Sequence, residues 1–142
     1  MRIVIDTNVL ISGLLVRGSV ADQVRRAWER GGFELVTSER QLDEIRRVSR
    51  YPRLAARVRP HEFGRLVGRM RRNAIVVTDL PSIHISPDPD DDTIVATALA
   101  GGATWLVTGD AGHLLALGNF EAITIASPKA FLEATGPYGP RR

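Results

Sequence analysis

The chain has 142 residues, a length at which one domain buries a full core without cross-links. Its 44% hydrophobic and 25% charged residues exclude disordered and fibrous classes, and the absence of cysteine excludes a disulfide scaffold or thiolate metal site and fits a reducing compartment. A net charge of +3 conceals a division, since residues 1–72 sum to +8 and residues 73–140 to −7. That division is open to two readings: a polyanion surface beside a cation pocket, or arginine-rich base composition spread over solvated helices.

Residues 2–5 form a continuous β-branched run and read as a short buried strand. A helical pattern over Val9 to Val16 follows. It is too short to span a bilayer, and Asp6 stands where a signal peptide would not carry an acid, so no membrane association is expected and the cytoplasm is the expected compartment. From Ser19 a second helix shows Val20, Val24, Ala27 and Trp28 at helical spacing until Gly31 and Gly32 stop it. Phe33 to Val36 reads as a strand, and Ser38 as the N-cap of a helix with Leu42, Ile45 and Val48 on one face, ending before Tyr51 and Pro52. Pro60 opens another helix, apolar at Phe63, Leu66, Val67 and Met70.

Ala74 to Val77 gives a third strand and a polar, proline-rich loop runs from Asp79 to Pro89. A nearly all-apolar helix begins at about Asp91 and reaches Gly101. Leu106 and Val107 form a fourth strand, Ile123 to Ile125 a fifth, and Ser127 caps a last helix to about Ala134. Residues 1–134 are expected to be one domain and 135–142, which lack periodicity, a flexible tail or partner contact. Strands alternating with helices predict a parallel α/β sheet of about five strands between helical layers, with function at the carboxyl ends of the strands.

Three stretches place acids at that edge. Asp6 interrupts the apolar run from Ile3 to Leu10, where a buried carboxylate costs several kcal/mol unless something neutralises it, on the order given by burying an ion. Asp110 follows the fourth strand. "SPDPDDDTIVATALA" puts four acids in five residues at a helix start, one of which a cap explains. Helical geometry leaves Asp91 and Asp92 equally open. In "QLDEIRRV", at 100° per residue, Glu44 lies about 40° from Val48, on the flank of the apolar stripe, whereas Asp43 points away and suits an ion pair with Arg47. Clustered carboxylates are what hard divalent cations take as ligands.

In order and spacing, "VIDTNVLIS", "LDEIRRV", "DPDDDTIVATALAGGATWLVTGD" and "ITIASPKAFL" resemble the PIN-domain nucleases, and among them the toxin components of bacterial type II toxin–antitoxin modules; the likeness covers residues 2–132. It implies a three-layer α/β/α fold and Mg²⁺- or Mn²⁺-dependent hydrolysis of RNA phosphodiesters by one or two ions. The family's acids fall on Asp6, Glu44, Asp91 and Asp110, with Asp92 as alternate to Asp91. Asn8 and Thr108 match its supporting polar positions. The resemblance further implies an RNA substrate, a cognate antitoxin and a homodimer. Arg46, Arg47 and Arg50 are candidate phosphate contacts, against a plain solubility role, and Tyr51, Trp28 and Trp105 candidate base-stacking residues, the two tryptophans at core positions.

His61 and His84 lie in surface segments, and His113 is close enough in sequence to Asp110 to approach the site, although a structural role is the commoner one for such a histidine. A haloacid-dehalogenase-type phosphatase would need an acid at position 8, which is Asn. A receiver domain would need an early acid pair and a late catalytic lysine, and Lys129 falls on the last helix. The rival of another class is a non-catalytic RNA- or partner-binding module with an acidic metal-binding cleft.

Overall fold

The computed structural model describes residues 1–109 and 112–136. In chain order the elements are β1 (Arg2–Ile5), α1 (Thr7–Leu15), α2 (Val20–Glu29), β2 (Glu34–Ser38), α3 (Glu39–Val48), α4 (Pro52–Ala55), α5 (Pro60–Asn73) and β3 (Ile75–Val77). They continue with α6 (Pro89–Ala100), β4 (Trp105–Val107), α7 (Leu114–Leu117), β5 (Asn119–Phe120), β6 (Ile123–Ala126) and α8 (Pro128–Thr135). The sheet has six strands in the order β3-β2-β1-β4-β6-β5, all parallel except β5, which pairs antiparallel with β6. The sequence reading of about five strands omits only β5, a two-residue strand too short to show alternation. α4 and α7, of four residues each, were beyond the reach of periodicity for the same reason.

Alternation along the strands divides the core. Ile3 and Ile5 of β1, Leu35 of β2 and Val107 of β4 face one side, where α1, α2, α3, α5 and α8 cover them. Val4, Val36 and Leu106 face the other, against Ile94, Val95 and Ala98 of α6 and Leu114 of α7. Helices thus lie on both faces of the sheet, as the strand–helix alternation predicts. Phe131 of α8 is fully buried and meets Phe33 and Trp105 edge-on, at 5.7 and 5.3 Å between ring centres. Trp28 is likewise a core residue.

Three local devices set the helices at the carboxyl edge. Ser19, Ser38 and Ser127 each accept a hydrogen bond from the third residue onward, at 3.2, 3.1 and 3.1 Å, so the predicted caps at Ser38 and Ser127 form and Ser19 caps α2 in the same way. α1 starts at Thr7, two residues before the apolar pattern, because Asp6 occupies the N-cap position directly after β1. Gly101 ends α6 against β2, where any Cβ would run into the buried Val36 side chain. Among the described residues no helix is long and apolar enough to cross a membrane.

Candidate metal centre at the carboxyl edge of the sheet

Because β1, β2 and β4 are parallel, their carboxyl ends open on the same edge. A cleft of about 630 Å³ lies there, lined among others by Asp6, Asn8, Glu44, Arg47, Asp91 and His113. Asp6 and Asp91 are 7% and 8% exposed, Glu44 half-buried. Three of the four predicted acids therefore share one cavity, reached from β1, α3 and α6. The fourth, Asp110, lies outside the described residues, two positions beyond Thr108.

Asp6 sits at an N-cap, yet its side chain does not cap α1. Its backbone N–H donates to the Val107 carbonyl at 2.8 Å, which fixes β1 against β4, and its Oδ2 accepts from Thr108 Oγ1 at 2.8 Å. Burial pushes the Asp6 carboxyl up to about 6; the Thr108 hydroxyl and the Thr7 amide oppose the shift, and the charges of Glu44 and Asp91 add to it. Thr108 is fully buried.

Glu44 reaches the cleft through a residue that sequence reasoning passed over. Gln41 is buried one turn before it; its Nε2 donates to the Ile5 carbonyl at 2.7 Å and to Thr7 Oγ1 at 3.4 Å, and its Oε1 accepts from Thr37 Oγ1 at 2.6 Å. These bonds register α3 on the end of β1. The available signal was a glutamine on the apolar stripe, four residues before Ile45, where a lone polar group demands partners. Burial raises the Glu44 pKa; the Thr7 hydroxyl and Arg47 offset part of the effect, while Asp90 and Asp88 add to it.

The acids at the start of α6 divide their tasks. Asp88 is the N-cap and accepts from the Asp90 amide at 2.9 Å. Asp92 turns away from the cleft and accepts from the amides of Ile85 and Ser86 at 2.9 and 3.0 Å, which ties down the preceding loop. Asp91 is the member buried in the cleft wall, where Ser86 Oγ donates to its Oδ2 at 3.0 Å and His113 Nδ1 lies 3.5 Å from the same oxygen. Of the two acids helical geometry left open, Asp91 lines the cavity and Asp92 does not. His113, which the sequence places near enough to approach the site, lines the cleft with its side chain about half exposed.

The arginines differ from their expected pairing. Asp43 pairs with Arg46 at 3.3 Å, one residue earlier than the pair read from helical spacing, because Arg47 turns into the cleft toward Asp90 at 4.0 Å. Arg50 is exposed and is not among the cleft-lining residues. Tyr51 is half-exposed on the cleft wall. Asn8 is exposed within the cavity, beside Asp6.

Among the described residues no three His, Cys, Asp or Glu side chains are gathered closely enough to hold an ion by themselves. The donor set nevertheless suits a hard cation: carboxylate and hydroxyl oxygens line the cavity, and Asp6 makes no ion pair among the described residues while two further carboxylates raise its pKa. Such a set is relieved by positive charge from outside the chain. No curated protein matches the chain. The family model described as PIN domain matches residues 2–112, more than three quarters of its length, with β1, α3, α6 and β4 all inside the match. The chain belongs to the PIN-domain family.

Proposed function

We propose that the protein is a divalent-metal-dependent endoribonuclease, the toxin of a toxin–antitoxin module acting in the cytoplasm, with Asp6, Glu44, Asp91 and Asp110 as ligands of Mg²⁺ or Mn²⁺. The observation that carries the reading is Asp6: a buried carboxylate that caps no helix, pairs with no cation among the described residues and shares a cleft with Glu44 and Asp91. The family is generally a nuclease fold, and its nucleases generally use Mg²⁺ or Mn²⁺.

Each side chain has a definable task in this reading. Thr108 orients the Asp6 carboxylate, Ser86 does the same for Asp91, and Gln41 holds Glu44 over the cavity from behind. A divalent cation, when bound, supplies positive charge to the scissile phosphate and makes water a stronger nucleophile. Asn8, exposed beside Asp6, is placed to hydrogen-bond water or a phosphate oxygen, and Arg46, Arg47 and Arg50 on α3 and just after it are candidate phosphate contacts. As a toxin the protein would work as a homodimer, restrained by an antitoxin that inserts a basic side chain among the carboxylates.

The test is cleavage of mixed structured and single-stranded RNAs by purified protein with Mg²⁺, Mn²⁺ or EDTA, beside Asp6→Asn. We expect cleavage that needs the metal and falls at least about tenfold in the variant, since loss of even a supporting contact to a metal ligand costs about 10- to 100-fold. Equal inertness of both proteins with metal binding retained would overturn catalysis in favour of a binding module.

A further inference from the structure

A second concave feature lies on the helical face next to the carboxylate cleft. It is a groove of about 440 Å³ between α2 and α5, closed at one end by α1, and six arginines and two glutamates line it. Its acids are already engaged. Buried Asp22 holds Arg25 Nη2 at 2.6 Å and Arg26 Nε at 3.0 Å, and Glu29 accepts from Arg25 Nη1 at 2.8 Å with Arg69 Nη1 at 3.5 Å. Glu62 accepts from the Arg59 amide at 3.3 Å. Arg17 and Arg65 make no ion pair among the described residues. Leaving Arg30 aside, the other five lining arginines outnumber Glu29, Glu62 and the Asp22 beneath them by two positive charges.

The cleft has the opposite balance. Asp6, Glu44, Asp88, Asp90 and Asp91 stand against Arg47, so carboxylates outnumber the one arginine by four, which one or two divalent ions at most cancel. Attraction for a polyanion must therefore come from outside the cleft, and on α3 it is muted because Arg46 faces Asp43 and Arg47 faces Asp90. The groove adjoins the cleft across a thin ridge. On α1, Val9 and Ser12 line the cleft while Gly13 and Leu14 line the groove; on α2, Ala21 lines the cleft and Arg25, one turn and about 6 Å further, lines the groove. At Gly13 the two helices meet backbone to backbone, since a Cβ there would lie 3.2 Å from Asp22 Cα.

We propose that this arginine groove binds the phosphate backbone of single-stranded RNA on one side of the scissile phosphate, the strand crossing the α1–α2 ridge from the cleft. The proposal rests on the nuclease reading above and specifies where its substrate gains affinity. Asp22 and Glu29 fix Arg25, Arg26 and Arg69 in place, so the groove is preorganised, and Arg17 and Arg65 supply the charge left over for phosphates. Contacts of this kind confer affinity without sequence choice.

The experiment measures binding of a short single-stranded RNA to protein carrying Asp6→Asn, which removes cleavage, as a function of salt with Mg²⁺ present. Arg17→Gln/Arg65→Gln is compared with Arg71→Gln/Arg72→Gln, which removes the same charge from the far end of α5. We expect the groove variant alone to bind several-fold more weakly, with a salt slope shallower by about 1.4, two contacts at about 0.7 each. Protein with Asp6 intact that cleaves RNA with metal, while the groove variant binds with the slope of its parent, would overturn the groove and leave the nuclease standing. Loss of binding to polyglutamate rather than RNA in the groove variant would assign the surface to an acidic protein and overturn the proposal. Protein that neither binds nor cleaves RNA would overturn both readings together.

Discussion

At the end of β1 a 7% exposed carboxylate is held by one buried hydroxyl, and its pKa stands near 6 against an ordinary 3.8. The sign of the consequence follows from proton linkage. Between about pH 4 and 6 folded Asp6 keeps a proton that the unfolded chain has lost, so stability falls as pH rises through this window and stays lowered above it. The shift corresponds to about 3 kcal/mol, taking 1.36 kcal/mol per unit. In EDTA at pH 7 we therefore expect Asp6→Asn to be more stable than the native chain, by up to about 3 kcal/mol, with the difference vanishing below pH 4. Urea unfolding of both proteins across this range checks it; an asparagine variant less stable at pH 7 would contradict it. Asp22 is the contrasting acid. Burial acts to raise its pKa, but the Gly18 amide, Arg25 and Arg26 outweigh burial and hold it below 3.8. Its contribution to stability is complete above 3.8 and is lost only as pH falls below that value, so it leaves the Asp6 window undisturbed.

The secondary elements explain how distant stretches of sequence reach one cavity. Parallel strands deliver Asp6 and Thr108 to the same edge, with Ile3, Val4 and Ile5 in register with Trp105, Leu106 and Val107. α6 is tied to the junction of β2 and α3 by Thr97 Oγ1, which donates to Ser38 Oγ at 3.0 Å, and the glycine at its end allows close packing on Val36. α3 depends on Gln41. Gln41→Leu keeps the volume and strands the Ile5 carbonyl and Thr37 hydroxyl in the core, so we expect a loss of about 1–3 kcal/mol in denaturant unfolding. We further expect weaker Mn²⁺ binding through a displaced Glu44. A variant as stable as the native chain, with unchanged Mn²⁺ affinity, would mean that α3 is registered by its apolar face alone.

Across the whole molecule, much of the architecture was legible before any coordinates. The β-branched runs, the serine caps and the prolines that open helices are local signals, and the elements they mark are present. β5, α4 and α7 were not legible, being too short for a period of 2.0 or 3.6 to show. Among the site residues, Glu44 could be placed from its angle to Ile45 and Val48, because one face of α3 is apolar and the other is not. The same reasoning could not separate Asp91 from Asp92, since α6 is apolar nearly all round; the distinction lies in tertiary contacts to Ile85 and Ser86. Gln41 was missed because its partners, the Ile5 carbonyl and the Thr7 hydroxyl, are remote in sequence. The division of charge along the chain finds a spatial counterpart in the acidic cleft and the adjoining arginine groove.

That cleft carries the central claim, that its carboxylates are held for a divalent cation. The measurement that bears on it most directly is a calorimetric titration of Mn²⁺ into the native chain, Asp6→Asn, Asp91→Asn and Asp92→Asn at pH 7. We expect the native chain and Asp92→Asn to bind alike, and Asp6→Asn and Asp91→Asn each to lose at least tenfold in affinity. Undiminished binding by Asp6→Asn would contradict the claim and leave the buried carboxylate without the partner that explains it.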